Sequence, residues 1–122
     1  MSTQLVISVV DDDEPMRAAL VALLRSLGYR AQGFASAEEF LGSGPAQALA
    51  CIITDVHMLG MSGIELQQRL AASGDRVPVI VITARAEPDL EARALASGAA
   101  SFLRKPFAAK ALIGSLKRAL RH

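Results

Sequence analysis

The sequence has one cysteine, few aromatic side chains and no tryptophan. The single cysteine, Cys51, excludes an internal disulfide framework and any zinc cluster built from several cysteines. Cys51 lies within an apolar run. We therefore expect a buried, inert thiol at this position rather than a nucleophile.

Long apolar segments are also missing. The longest apolar stretches, Leu5–Val10 and Val77–Ile82, are about six residues each, whereas a helix that spans a bilayer needs about 20. The N-terminus lacks the basic start and long apolar segment of a secretory signal. These absences predict a soluble, cytoplasmic protein with no membrane contact.

The two signs of charge are nearly balanced but unevenly distributed. Thirteen Lys and Arg residues against twelve Asp and Glu residues give a net charge of +1, which argues against a protein that coats nucleic acid. An acidic run at 11–14 precedes the first basic residue, Arg17, and every charged residue after Glu91 is basic. We interpret Asp13 and Glu14 as favouring the positive end of the first helix.

The 122 residues suit one domain in which strand patterns alternate with helical patterns. Pro15 fits the first turn of a helix, and Gly28 follows that helix where a C-terminal cap belongs. Ser36 and Glu39 form a capping-box pattern that opens a short second helix. The predicted strands are Leu5–Val10, Ala31–Phe34, Cys51–Thr54, Val79–Thr83 and Ser101–Arg104. The other predicted helices cover Met16–Leu27, Gly63–Ser73, Pro88–Ser97 and Ala109–Leu120.

Five strands that alternate with five helices predict a parallel sheet covered by helices on both faces. In open α/β sheets, functional sites form beyond the carboxyl ends of the strands. Polar residues follow four of the five strands, while the second strand ends without one. These residues are Asp11 and Asp12 after the first strand, Asp55 after the third, Thr83 as the last residue of the fourth and Lys105 after the fifth.

Where three carboxylates meet, they need a compensating cation to stay ionised. Oxygen ligands in a small space favour Mg²⁺, which is typically coordinated by one or two carboxylates and keeps several water ligands. Thr83 offers a hydroxyl donor, and Lys105 offers a point charge, for the oxygens of a phosphoryl group. Asp55 is the best candidate for a nucleophile that forms an acyl phosphate, because it lies between the other elements.

The polar residues belong to five short motifs in a fixed order. The motifs are Val-Val-Asp-Asp-Asp (9–13), Thr-Asp-Val-His-Met (54–58), Met-Ser-Gly (61–63), Val-Ile-Thr-Ala (81–84) and Lys-Pro-Phe (105–107). Together they resemble the response-regulator receiver domains of bacterial two-component signalling, and segments 36–41 and 61–67 are most similar to the FixJ-type regulators. The resemblance implies one doubly wound (βα)5 flavodoxin-like domain over residues 1–122, and we expect no output domain within this chain. It also implies the strand order 2-1-3-4-5, in which the four strands followed by polar residues are neighbours.

The resemblance also implies roles for individual residues. Asp55 would take a phosphoryl group from the phosphohistidine of a histidine kinase, and Lys105 would contact that group. Asp11, Asp12 and Asp55 would bind Mg²⁺ or Mn²⁺ with the backbone carbonyl of His57.

Two further residues would act as switches. Thr83 would move toward the phosphate, and Phe102 would turn inward behind it. The signalling surface would be the fourth helix, fifth strand and fifth helix, often through a phosphorylation-dependent homodimer. The Lys105–Pro106 bond is expected to be cis in this family.

The sequence departs from the family pattern in two loops. Leu59 stands where the family usually has proline, and Arg85-Ala86-Glu87 replaces a more glycine-rich segment. His57 and Arg85 lie two residues past Asp55 and Thr83, at positions that vary in the family. We expect both to tune the lifetime of the phosphoryl group.

Two alternatives remain. A receiver fold that binds partners without phosphorylation is one, and Leu59 is the only feature that favours it. An enzyme is the other, but a mononucleotide binder would need an anion-binding loop after the first strand, and an aspartate-nucleophile phosphatase would usually carry a second Asp where His57 stands. We expect a signalling switch that assists its own phosphorylation. The basic fifth helix is interpreted as a solvated face rather than a nucleic-acid surface.

Overall fold

A computed structural model describes residues 5–43, 49–85 and 87–120 of the chain. Within these residues, five strands alternate with five helices, as the sequence pattern predicts. The elements are β1 Val6–Val10, α1 Glu14–Ser26, β2 Arg30–Phe34, α2 Ala37–Gly42, β3 Leu49–Asp55, α3 Gly63–Ala72, β4 Val79–Thr83, α4 Leu90–Ala96, β5 Ser101–Arg104 and α5 Ala109–Ala119.

All five strands are parallel, and their order in the sheet is β2-β1-β3-β4-β5. This order is the one that the family resemblance implies. The carboxyl ends of β1, β3, β4 and β5 therefore lie side by side, with β2 at the edge. In the register of the central strands, Asp55 pairs with Ile82 and Thr83 pairs with Arg104.

The core has two layers, one on each face of the sheet. Alternate residues of β4 show the division: Ile80 and Ile82 pack in the layer with α1 and α5, while Val79 and Val81 pack in the layer with α2, α3 and α4. Each fully buried side chain of this size contributes about 1.5–3 kcal/mol of hydrophobic stabilisation. Two packed faces hold the central strands rigidly, and with them the polar residues at the strand ends.

The first helix begins and ends as its sequence predicts. Asp13 is the N-cap, and its side chain accepts a hydrogen bond from the backbone N–H of Met16 at 3.4 Å. Pro15 lies in the first turn, where its missing N–H breaks no helical bond. Gly28 follows the helix with φ of +96°, a conformation that favours glycine. The structural interpretation of Asp13 is thus confirmed.

The capping box expected in α2 is only half present. Ser36 Oγ accepts a hydrogen bond from the N–H of Glu39 at 3.0 Å, but the complete reciprocal pair lies at the start of α3. There Ser62 Oγ accepts from the N–H of Glu65 at 3.1 Å, and the Glu65 carboxylate accepts from the N–H of Ser62 at 3.0 Å. The start of α3 is therefore the more firmly capped of the two.

Most predicted element bounds differ from the observed ones by one or two residues, and β3 and α4 show why. Strand β3 begins at Leu49 rather than at Cys51, because its pairing with β1 starts there, and it includes Asp55 as its last residue. Helix α4 covers only Leu90–Ala96, since Pro88 and Asp89 form a turn before it. The first difference follows from strand pairing and the second from a turn, and hydrophobic period alone defines neither.

Among the described residues, no helix combines the length and apolar character needed to cross a membrane. Cys51 is buried, and desolvation raises the pKa of its thiol to about 12. The thiol therefore stays protonated at neutral pH, as expected of an inert core cysteine. The Lys105–Pro106 peptide bond is cis.

Candidate functional site

The end of β1 places one carboxylate inside the protein and the next at its surface. Asp11 is buried, whereas Asp12 is exposed. The N–H of Asp11 donates to the carbonyl of Phe34 at 3.0 Å, and its Oδ1 accepts from the N–H of Asp13 at 2.9 Å. Arg17 adds a hydrogen bond from Nη1 to the Asp11 carbonyl at 2.8 Å, a contact that the sequence did not predict. These bonds fix the position and orientation of Asp11.

The end of β3 holds Asp55, of which 7% is exposed. Thr54 Oγ1 donates to the Asp55 carbonyl at 3.0 Å. Gly63, the first residue of α3, packs so closely on this segment that a Cβ there would overlap the same carbonyl oxygen. The requirement for glycine at Gly63 ties the start of α3 to the backbone of Asp55.

The three aspartates form one cluster beside a lysine. One carboxylate oxygen from each of the three lies within 4.8 Å of those from the other two. Lys105 follows β5 directly, and its Nζ lies 3.0 Å from Asp11 Oδ2 and 3.3 Å from Asp55 Oδ2. Only 10% of the Lys105 side chain is exposed. The structure therefore brings together the polar residues that follow β1, β3 and β5.

Burial and neighbouring charge shift the pKa values of two members of the cluster. Desolvation is the largest effect and raises the pKa of Asp55; the charge of Lys105 lowers this pKa, and the charge of Asp11 raises it by a smaller amount, so the net shift is upward. Burial alone would lower the pKa of Lys105, but its hydrogen bonds and ion pairs with the two aspartates raise it instead. Lys105 is thus charged at neutral pH, and Asp55 would be stabilised by a further cation.

Thr83 occupies the end of β4 between these groups in the strand order. It is buried, and its carbonyl accepts a hydrogen bond from the N–H of Lys105 at 2.7 Å. Its Oγ1 accepts from the N–H of Arg85 at 3.1 Å. This bond uses the hydroxyl oxygen as an acceptor and leaves the hydroxyl proton for another partner.

His57 extends from the loop after β3 toward the loop after β4. Its Nε2 lies 3.3 Å from Glu87 Oε1. The two atoms are close but are not hydrogen-bonded, because Nε2 meets no acceptor with hydrogen-bonding geometry in the described part of the chain. The His57 side chain is outside the carboxylate cluster, and the role of its backbone carbonyl toward a metal stays a prediction.

Phe102 lies in β5 and pairs with Val81 of β4. It is partly buried and packs against the core layer that includes α4. Thr83 is two residues beyond Val81 on the neighbouring strand. The two residues expected to act as switches thus lie on adjacent strands near the same end of the sheet.

Glu38 makes a contact that the sequence patterns did not predict. Its Oε2 accepts a hydrogen bond from the N–H of Met61 at 2.9 Å, which links α2 to the loop between β3 and α3. The two residues are 23 positions apart, so neither helical period nor capping patterns could reveal the bond. The one local signal for Glu38 is its place in the acidic first turn of α2, where carboxylates tend to interact with backbone N–H groups.

The donor set fits a hard divalent cation. Asp11, Asp12 and Asp55 offer only oxygen ligands, and the exposure of Asp12 leaves the cluster open on one side to water ligands. Mg²⁺ and Mn²⁺ prefer this combination of a few carboxylates with water. The cluster contains three carboxylates, and Lys105 pairs with two of them, so negative charge remains for such an ion.

Comparison with known proteins gives a consistent result along the chain. Residues 7–117 match the model of the response regulator receiver domain. Response regulator protein TmoT of Ectopseudomonas mendocina is 39% identical over 116 residues, covering 95% of this chain and 53% of TmoT. The transcriptional regulatory protein FixJ of Azorhizobium caulinodans is 40% identical over 120 residues, covering 98% of this chain and 57% of FixJ. The chain thus spans about half the length of the curated relatives it matches.

Solved structures show the same similarity in three dimensions. The crystal structure of FixJ-N superposes with a TM-score of 0.89 at 33% identity, covering 99% of this chain and 97% of that one. The response regulator StyR gives a TM-score of 0.90 at 39% identity, covering 98% of this chain and 60% of StyR.

Proposed function

The chain belongs to the family of response regulator receiver domains, which act in phosphorylation-based signalling, and we propose that within it Asp55 accepts a phosphoryl group from the phosphohistidine of a histidine kinase. One observation carries this proposal. Lys105 lies between the carboxylates of Asp11 and Asp55, at hydrogen-bonding distance from both. Asp55 is nearly buried and shares one cation with a second carboxylate. This arrangement is more typical of a nucleophile than of a residue in a structural ion pair.

The residues around Asp55 supply what phosphoryl transfer needs. An oxygen of Asp55 attacks phosphorus in line, the bond between phosphorus and the kinase histidine breaks, and an aspartyl phosphate remains. The ammonium of Lys105 donates to a phosphoryl oxygen, and the hydroxyl proton of Thr83 is available to another. Burial of these groups strengthens their interaction with developing negative charge.

The carboxylates of Asp11, Asp12 and Asp55, with the backbone carbonyl of His57, would hold Mg²⁺ or Mn²⁺. When bound, such an ion neutralises charge on the carboxylates and phosphoryl oxygens, so that two anions can approach each other. Asp11 would act from its fixed, buried position, and Asp12 from the surface side.

Phosphorylation would bias a two-state surface formed by α4, β5 and α5. Thr83 and Phe102 lie on adjacent strands that lead from the site to this surface. Leu95 of α4 is 47% exposed, an apolar group that a phosphorylation-dependent homodimer or another partner would cover. In this proposal the domain works in the cytoplasm as a switch and not as an enzyme for other substrates, without direct contact to nucleic acid or membrane.

A phosphorylation-independent interaction module is the second candidate function. It is favoured by Leu59, which is 88% exposed in the loop that follows Asp55. A large apolar side chain at that position suits a protein contact. The complete set of Asp11, Asp55 and Lys105 weighs against this alternative.

Intact mass spectrometry separates the two candidates. The protein is incubated with Mg²⁺ and acetyl phosphate or phosphoramidate, and a single base-labile adduct with the mass of one phosphoryl group is expected. Asp55→Asn should abolish it, whereas Asp89→Asn should keep it, because Asp89 is exposed and its side chain makes no capping hydrogen bond. No adduct from either donor would favour the interaction module.

A further inference from the structure

The loop between β3 and α3 is anchored at its two ends. Gly63 N–H donates to the Val56 carbonyl at 3.0 Å, and the capping box of Ser62 and Glu65 closes the start of α3. Between these anchors, the bond from Met61 to Glu38 is the one hydrogen bond made by residues 58–61 within the described parts of the chain. The middle of the loop therefore depends on a side chain from α2.

The backbone conformation of Gly60 and its lack of a Cβ let the Glu38 side chain approach the loop. Its φ is +80°, which lies in the left-handed region that favours glycine. A Cβ at this position would lie 2.5 Å from Glu38 Oε2. The backbone conformation thus favours glycine here, and a side chain at this position would displace the Glu38 carboxylate.

Glu38 makes a charge-assisted bond at this point. The N–H of Met61 donates to the carboxylate and thereby lowers the pKa of Glu38. Glu38 is exposed in the first turn of α2, next to Glu39, whose N–H is capped by Ser36. Both glutamates share any benefit from the positive end of the helix, but only Glu38 reaches the loop.

We propose that Glu38 is a positioning residue for the site: it holds the loop after β3 and, through that loop, the backbone carbonyl of His57. The inference rests on the function proposed above, in which that carbonyl faces a divalent cation. Leu59 leaves its own φ unrestrained, whereas a proline would fix it. A bond from α2 supplies the restraint that the backbone of residues 58–61 lacks.

Three variants test the proposal: Glu38→Ala removes the acceptor, Glu38→Gln keeps one, and Glu39→Ala is the matched control in the same helical turn. The first measurement is hydrogen exchange of the Met61 amide in metal-free protein by NMR. Glu38→Ala should accelerate exchange on the order of fivefold or more, as expected when an amide loses its hydrogen bond. Glu38→Gln should recover most of the protection, and Glu39→Ala should match wild type.

The second measurement is the Mg²⁺ dissociation constant from NMR titration, followed by the rate of phosphorylation by acetyl phosphate. Glu38→Ala should weaken Mg²⁺ binding and slow phosphorylation by about threefold to tenfold, with recovery in Glu38→Gln. Faster exchange with unchanged Mg²⁺ affinity would show a purely structural contact and overturn the proposal, as would equal exchange in all variants. Exchange and Mg²⁺ binding need no phosphoryl group, so an unphosphorylated wild type would refute the proposed function without deciding the role of Glu38.

Discussion

The ammonium of Lys105 lies 3.0 Å from Oδ2 of Asp11, although 94 residues separate them along the chain. The contact joins the carboxyl ends of β1 and β5, which have two other strands between them in the sheet. The same ammonium reaches Asp55 on β3 at 3.3 Å. One lysine from the basic end of the sequence thus provides counter-charge for the acidic beginning.

Lys105→Met should destabilise the metal-free protein by about 2 kcal/mol, because it leaves two largely buried carboxylates without their cation. Mg²⁺ should restore part of the loss. Urea unfolding with EDTA and with Mg²⁺ measures both effects. Lys117→Met, which removes an exposed lysine of α5, is the control. Equal stability of the two variants in EDTA would contradict the role assigned to Lys105.

Asp55→Asn should become more stable than wild type as pH rises in metal-free buffer. Burial raises the pKa of Asp55 in the folded protein above its ordinary 3.8. The Asp55 carboxyl therefore ionises at lower pH in the unfolded state than in the folded state, and the wild-type free energy of unfolding falls as pH rises through the range between the two pKa values. Below that range the carboxyl is protonated in both states, and the difference should be small. Unfolding free energies from pH 3 to about 7 measure it. A difference that is constant with pH would be inconsistent with this argument, and the exposed Asp89→Asn serves as the control.

Gly63→Ala should destabilise the protein by about 1–3 kcal/mol, because a Cβ would overlap the Asp55 carbonyl and force β3 and α3 apart. Gly42→Ala is the matched substitution at another helical glycine, where a Cβ meets nothing within 4 Å. It should be neutral or stabilising by up to about 1 kcal/mol. Denaturant unfolding compares the two, and similar values would rule out the close approach at Gly63.

His57→Ala and Arg85→Ala should change the decay of the phosphorylated protein more than its formation. His57 contacts Glu87 across the two loops, and the backbone N–H of Arg85, which Arg85→Ala keeps, bonds to the Thr83 hydroxyl and places residue 85 beside it. Both residues thus lie beside the groups that would face the phosphoryl group without belonging to them. The measurement is loss of the phosphoryl adduct with time after the donor is removed. Unchanged decay in both variants would refute the prediction.

The sequence predicted most of the fold because its signals are local. Pro15 and Gly28 mark the ends of α1 through backbone conformation, and the continuous apolar run of β4 marks a strand buried on both faces. The boundaries of β3 and α4 were predicted less well, since they depend on pairing with β1 and on a turn at Pro88. The strand order came from the family resemblance rather than from periodicity.

The candidate site likewise has features that the sequence predicted and features that depend on tertiary structure. By itself, the sequence determined which chemical groups follow the strands, because each strand end is a local feature: Asp11, Asp55 and Lys105 were predicted from their positions in the chain. Only the tertiary structure decided that Asp11 is buried while Asp12 is exposed, that Lys105 bridges two carboxylates, and that Glu38 holds the loop after β3. These relationships join residues far apart in the chain. They arise from the packing of helices on the sheet, which a local pattern does not encode.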